Sequence, residues 1–386
     1  MKIVSVVGAR PNFMKIAPFI RAIAKWNAEH QTAAQIEHIL VHTGQHYDDK
    51  MSQQFFTSLN IPPADINLGI GSGTHAEQVG KTMIEFEKVV KQLQPDWVVV
   101  VGDVNATCAC SITAKKECIK LAHIEAGLRS RDMTMPEEIN RLVTDRLADL
   151  LLTPDELSSA NLIQEGAKPA AVKFVGNIMI DTLEEQRAKA AALNIADIMK
   201  NNLHPGHTLP LPQIDGDFGV VTLHRPSNVD HQETLAGITN FLVDEASAVM
   251  PLLWPVHPRT LKQMQTTGLL DRVNACGRIV LLQPLGYHDL LRLNMEARIM
   301  LSDSGGLQEE CCVLGTPCLI LRDNTERPVT LVKNGGVGVL VGNDVGRIRR
   351  AFNTIVDAGR LAAFRPALWD GHTAERCVKE IAEFAG

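Results

Sequence analysis

No apolar run in this chain approaches the roughly 20 residues needed to cross a bilayer, so the sequence offers no membrane segment. A basic cluster is missing too: Lys and Arg are dispersed and the formal net charge is −6. Without a positive face there is no electrostatic footprint for nucleic acid, and a small-molecule partner is expected. No N-terminal signal pattern is seen, because Lys2 is followed only by Ile3 to Val7 before Gly8 ends the run, which points to the cytoplasm. The eight cysteines, at 108, 110, 118, 276, 311, 312, 318 and 377, contain no CxxC pair and no short secreted frame, so buried free thiols are expected. His123-Ile124-Glu125 has the His-x-Glu spacing of zinc deaminases, but Pro317-Cys318 lacks the second cysteine such a site requires. His42 and His46 stand four apart with Gly44 between them, which favours a loop over a ligand helix. No metal is expected.

With 386 residues and 45% hydrophobic content, the chain is long for one core, and two domains are the default. Short Val-, Ile- and Leu-rich runs alternate with longer helix-like segments, the pattern of parallel sheets flanked by helices. Expected strands in a first half are Lys2 to Val7, Ile36 to His42, Trp97 to Val101, Lys120 to Ile124, Leu150 to Leu152 and Lys173 to Phe174. After a helix and a Pro-rich connector between about Asp181 and Asp217, a second series follows: Phe218 to Leu223, Leu252 to Val256, Ile279 to Leu282, Arg298 to Leu301, Cys318 to Leu321 and Gly338 to Val341. The expected class is α/β, with two Rossmann-like domains, residues 1–180 and 181–365, facing a central cleft. An amphipathic C-terminal segment, within about 366–386, crosses back to complete the first.

Residues 298–310 carry the strongest local signal. An apolar strand-like run stops at Asp303-Ser304-Gly305-Gly306, and a helix opens with Leu307. A helix start presents free N–H groups and partial positive charge, and glycines let a diphosphate approach the backbone. Glu310, further into that helix, is placed to accept hydrogen bonds from ribose hydroxyls. The plainer reading is a tight turn with acids favoured early in a helix.

Other polar clusters fall where strands end, which is where open α/β sheets bind ligands. Val7 precedes Gly8-Ala9-Arg10-Pro11 and Lys15; Val101 precedes Gly102-Asp103; Ile124 precedes Glu125; and Leu223 precedes His224. Asp103, Glu125 and Glu137 are three acids that phosphate binding does not need, and they suit proton transfer. Each has a structural alternative: a turn for Asp103, an ion pair with Arg129 for Glu125, and a first-turn acid behind Pro136 for Glu137. Arg10, Lys15, His224 and Arg327 supply cations or donors for a diphosphate leaving group. Surface salt bridges and a strand-end histidine are the alternatives.

Taken in order, GxRP with its following Lys, TGQHYD (Thr43 to Asp48), HIEAGLRS (His123 to Ser130), MPEEINR (Met135 to Arg141), HRPSN, SDSGGLQEE and RDNTERP (Arg322 to Pro328) resemble the non-hydrolysing UDP-N-acetylglucosamine 2-epimerases over essentially the whole chain. The resemblance implies a GT-B architecture, usually a homodimer, and inversion at C2 of a UDP-N-acetylhexosamine without NAD or other cofactor. It implies elimination of UDP to a 2-acetamidoglucal, followed by re-addition. By resemblance Asp103, Glu125 and Glu137 match the catalytic acids and His224 the active-site histidine. Arg10 and Lys15 match the basic residues near the diphosphate, Ser304, Gly305 and Gly306 the phosphate loop, Glu310 the ribose ligand, and Arg327 a further substrate contact. A GT-B glycosyltransferase using a UDP-sugar donor, and a hydrolysing 2-epimerase releasing ManNAc and UDP, are the alternatives.

Overall fold

Runs of β-branched and leucine residues fit a pleated surface buried on both faces, and every such run becomes a parallel strand. A computed structural model describes residues 1–8, 10–30, 34–44, 62–207, 209–214 and 216–384, the side chains of residues 10 and 11 excepted. The chain divides into two units, Met1–Thr182 with Pro366–Gly386, and Leu183–Arg365.

In the first unit the strands are β1 (Lys2–Val7), β2 (Glu37–His42), β3 (Ile66–Asn67), β4 (Trp97–Val101), β5 (Lys120–Ile124), β6 (Leu150–Thr153) and β7 (Val172–Phe174). They form one sheet in the order β3-β2-β1-β4-β5-β6-β7, parallel throughout. The helices that matter for the site are α1 (Arg10–Glu29), α2 (Asn105–Lys116) and α3 (Pro136–Leu147). Side chains alternate across the sheet: Val4, Val6, Val98, Val100 and Leu121 share one buried cluster, while Ile3, Val7 and Val99 are fully buried toward the opposite face.

The second unit holds β8 (Gly219–Thr222), β9 (Leu252–Pro255), β10 (Ile279–Leu282), β11 (Ile299–Ser302), β12 (Cys318–Ile320) and β13 (Gly338–Leu340). Their order is β10-β9-β8-β11-β12-β13, again parallel. Val221, Leu281, Leu301 and Leu319 point into one core cluster, and their neighbours Val220, Val280, Met300 and Ile320 into the other. Each side chain so buried stabilises the fold by about 1.5–3 kcal/mol relative to exposure. Helices α4 (Tyr287–Glu296) and α5 (Gly305–Leu314) flank this sheet.

The C-terminal helix α6 (Thr373–Ala382) belongs to the first unit. The Asp181 carboxylate accepts from the backbone N–H groups of Thr373 (3.0 Å) and Ala374 (2.7 Å), which satisfies two donors that a helix start leaves free. Just ahead of the helix, Trp369 is buried and donates its indole N–H to the Pro154 carbonyl at 2.9 Å.

The expected α/β class is found, and no strand limit differs from the sequence reading by more than one residue. β3 was not anticipated; at two residues it leaves almost no periodic signal. α5 begins at Gly305 rather than Leu307, because a helix's first turn tolerates glycines whose N–H groups need no partner within the helix.

In both sheets the chain winds outward from one strand and then reverses to its other side, which makes β1/β4 and β8/β11 the switch points. Loops leaving the carboxyl ends of such strands diverge and open a crevice. The polar clusters noted in the sequence fall there.

Candidate active site

In the first unit, β1 ends at Val7 and α1 brings two side chains back over the strand ends. The Asn12 amide donates to the Val101 carbonyl (2.8 Å), and its oxygen accepts from the Gly8 N–H (3.2 Å). Lys15, one turn on, is 6% exposed and its ammonium is ion-paired with Glu125, itself 3% exposed. The structural alternatives of a surface Lys15 and of a Glu125–Arg129 pair are therefore not found: Lys15 is buried and is a partner of Glu125. Glu125 reaches it because β5 ends in a sharp turn. Its φ is +71°, a left-handed conformation costing a side-chain-bearing residue about 1–2 kcal/mol. Both the Glu125 and Ala126 N–H groups converge on the Leu152 carbonyl (3.1 Å each).

Gly102 links this pair to Asp103. Its φ is +70°, and a Cβ there would lie 3.2 Å from the Lys15 ammonium and 3.4 Å from a Glu125 carboxylate oxygen. Asp103 follows at once, its carboxylate accepting from Arg141 (2.5 Å) and its carbonyl from the Asn140 amide (2.9 Å). Arg141 is buried and also donates to Glu138 through Nε (2.9 Å) and a terminal nitrogen (2.6 Å). Glu138 accepts further from the Ser130 N–H (3.0 Å) and hydroxyl (3.0 Å) and the Arg131 N–H (2.8 Å). Burial alone disfavours a charged Glu138, but these donors outweigh it and hold the carboxyl below its ordinary value. Asp103 is thus more than a turn residue. Its orientation rests on Arg141, which in turn rests on Glu138.

Glu137 occupies the first turn of α3 behind Pro136 and is half-buried. It makes no hydrogen bond or ion pair among the described residues. The Arg10 side chain and residues 45–48 of the TGQHYD segment, with His46, lie outside the described residues.

In the second unit the switch point is occupied by a buried acid that the sequence reading left out of the site. Asp303, fully buried, accepts from the N–H groups of His224 (3.0 Å) and Arg225 (2.9 Å) and the Asn228 amide (3.0 Å), and it pairs with the His224 ring Nδ1 at 2.7 Å. Burial opposes its charge, yet His224 and these N–H donors keep it below the ordinary value. His224 remains 41% exposed at its side chain, so it is a strand-end residue with one ring nitrogen fixed and its face accessible. The next residue after Asp303, Ser304, is the N-cap of α5 and makes no side-chain cap bond. Ser304, Gly305 and Gly306 are all partly exposed at that helix start.

Arg327 lies against this same turn. A Cβ on Gly305 would fall 2.6 Å from its guanidinium and 2.7 Å from a Glu326 oxygen. Arg327 is no surface salt bridge: it is 6% exposed, its Nε is 2.7 Å from Glu309, and it also pairs with Glu326, which Arg322 meets at 2.7 Å. Glu310 is buried within α5, and burial, reinforced by the neighbouring Glu309, pushes its carboxyl up to about 7, with Tyr287 and Asn294 opposing. Among the described residues, no group of three or more His, Cys, Asp or Glu side chains is set to hold a metal ion, and no helix is long and apolar enough to cross a membrane.

Geometrically, then, the sequence-predicted residues form two sets. Lys15, Asp103 and Glu125 share the β1/β4/β5 strand ends, and His224, Ser304, Gly305, Gly306 and Arg327 share the β8/β11 strand ends and the start of α5. Glu137 is placed on the helix that supplies Arg141. Asp303, Glu138 and Arg141 are the additions. Asp303 was readable as the acid at the strand end, two residues before Gly305, whereas the adjacent Glu137 and Glu138 gave no sign of which points inward.

Two parallel doubly wound sheets, each with polar and charged side chains at its switch point, define a two-domain Rossmann-like α/β protein, consistent with the GT-B class. Residues 28–382 match the family model described as UDP-N-acetylglucosamine 2-epimerase. The chain is 38% identical over 380 residues to UDP-N-acetylglucosamine 2-epimerase of Methanocaldococcus jannaschii, covering 98% of each protein. It is 37% identical to UDP-2,3-diacetamido-2,3-dideoxy-D-glucuronate 2-epimerase of Pseudomonas aeruginosa, covering 89% of this chain and 88% of that one. A crystal structure of the M. jannaschii UDP-GlcNAc 2-epimerase in complex with UDP-GlcNAc and UDP matches at 37% identity with a TM-score of 0.85, covering all of both chains. The protein belongs to the UDP-N-acetylglucosamine 2-epimerase family.

Proposed function

We propose that this protein inverts C2 of a UDP-N-acetylhexosamine, converting UDP-GlcNAc to UDP-ManNAc. A carboxylate takes the C2 proton, the C2–H electron pair becomes the C1–C2 double bond, and the C1–oxygen bond breaks with its electrons on the UDP diphosphate. The 2-acetamidoglucal then accepts a proton at C2 from the opposite face while a diphosphate oxygen re-forms the bond at C1. No net oxidation occurs, so no nicotinamide is needed.

Two faces need two proton-transfer groups, and Asp103, Glu125 and Glu137 are assigned to this work, with His224 as the fourth catalytic residue. Lys15, and Arg10 by its place in the sequence, neutralise the leaving diphosphate. Ser304, Gly305 and Gly306 bind it through the N–H groups at the start of α5, with Arg327 as a further contact and Glu310 accepting from the ribose. The observation that carries this reading is the placement of Asp103 and Glu125 at the carboxyl ends of adjacent strands, around a buried lysine. Binding of a nucleotide alone gives no reason for two acids there.

The two relatives quoted act on different sugars at nearly the same identity, so the test uses both. Each UDP-sugar is incubated with the protein in deuterated water. Deuterium at C2 with UDP-ManNAc formed from UDP-GlcNAc is expected. Free ManNAc and UDP would indicate a hydrolysing enzyme, exchange confined to the diacetamido uronate would reassign the sugar, and no exchange would refute the epimerase reading. We further infer a cytoplasmic homodimer free of cofactor. Sedimentation at twice the 42.2 kDa chain mass and a rate unchanged by EDTA are the expected results.

A further inference from the structure

Behind Asp103 and Glu125 lies a buried histidine to which the reaction scheme gives no part. His123, in β5, is completely buried. Its Nε2 is 2.9 Å from the Gly102 carbonyl and its Nδ1 is 2.6 Å from an Asp145 oxygen. A carbonyl oxygen can only accept. Asp145 is also an acceptor only: its second oxygen takes the Gly127 N–H (3.0 Å) and an Arg129 N–H (2.7 Å). Those two donors, one of them a guanidinium, favour the ionised form of Asp145. A neutral imidazole has one donor and one acceptor, so one of these two contacts would then set lone pair against lone pair inside the core. From this geometry we infer that His123 carries a proton on both ring nitrogens and is a positioning residue for Asp103.

The charge fits its surroundings. The chain of contacts runs from the Gly102 carbonyl through His123 and Asp145 to Arg129, whose far side is paired with Glu165 at 2.6 Å. With Lys15–Glu125 and the Arg141 pairs to Asp103 and Glu138, the cluster holds five carboxylates against three permanent cations, and the imidazolium supplies a fourth. The mechanical consequence falls on Asp103. His123 fixes the Gly102 carbonyl, the Gly102 N–H donates to the Ile124 carbonyl (3.2 Å), and Asn140 fixes the Asp103 carbonyl. Two consecutive peptide planes leading to the acid are therefore held from the neighbouring strand and helix. That restraint lets Gly102 keep its positive φ beside the Lys15–Glu125 pair.

This inference rests on the epimerase reading for its catalytic part but not for its protonation part, and the test separates them. In the full-length protein labelled with 15N-histidine, both His123 ring nitrogens are expected to show protonated shifts at neutral pH, assigned by the resonances lost in His123→Gln. A neutral ring in the wild-type protein would overturn the inference whether or not the protein epimerises. The Gln variant retains a donor toward Gly102 but not the charge. Its C2 exchange is expected to fall about 100-fold in kcat, the scale of an ångström misplacement of a catalytic group, with KM and UDP affinity within about threefold. Wild-type kcat, or a parallel collapse of UDP affinity, would refute the positioning role. Failure of the wild-type protein to exchange any C2 proton would instead remove the function proposed above and leave the nitrogen shifts standing.

Discussion

Glu310→Gln is expected to make the second unit more stable at pH 8 and no more stable at pH 4. Glu310 is 3% exposed, and its carboxyl is pushed from 4.5 to about 7, chiefly by burial. The native state therefore holds a proton that the unfolded chain has already released. A raised folded value contributes stability that is complete below about 4.5 and is lost as the pH climbs toward 7. At about 1.4 kcal/mol per pH unit the loss is about 3 kcal/mol, and the isosteric amide escapes it because it does not titrate. Urea unfolding at pH 4 and pH 8, read through hydrogen exchange of β8 and β11 peptides so that the signal is the second unit's own, should show the two proteins diverging by that amount. Parallel pH dependences would refute the argument. The same proton bears on function: ribose hydroxyls donating to Glu310 favour its ionised form, so UDP binding near pH 7 should release a proton in the wild-type protein and none through this site in the variant. Calorimetry in two buffers of different ionisation heat measures it.

Other perturbations have equally direct outcomes. Glu138→Ala removes the buried carboxylate that Arg141 meets through two of its nitrogens, and should destabilise the first unit by about 3–5 kcal/mol, the cost of breaking a buried ion pair; a loss under 1 kcal/mol in urea unfolding would contradict it. Gly305→Ala drives a methyl into Arg327 and Glu326 and should weaken UDP binding at least tenfold by calorimetry while the Asp303–His224 contacts persist; unchanged affinity would detach this turn from the diphosphate. Asp145 and Glu138 sit below their ordinary values, so their contribution is present at neutral pH and lost as the pH falls through their folded values. Exchange in β5 and α3 should accelerate on acidification, and Asp145→Asn should blunt that response.

Much of the architecture could be read from the chain because its signals are local. The run Trp97–Val101 is a strand by composition, and Gly102-Asp103 marks its end. What the sequence could not supply was pairing across distance. Lys15 and Glu125 are 110 positions apart, and only the closing of β1 against β4 and β4 against β5 brings them together. Arg129, the nearer candidate, turned out to serve Asp145. For Arg327 a surface salt bridge stayed open as an alternative because burial of a guanidinium depends on Glu309 and Glu326, whose inward direction is set by the helix phase of α5 and by the Arg322 loop. Asp303 was visible as a turn residue, yet its four contacts come from residues 75 or more positions earlier.

The account's central claim is that Asp103 takes part in exchanging the C2 proton of a UDP-sugar. Asp103→Asn, assayed for C2 deuterium exchange and for UDP affinity in the same preparation, tests it most directly. Exchange should disappear while UDP affinity stays within a few-fold of wild type. Exchange that persists, or UDP binding that collapses with it, would contradict the claim.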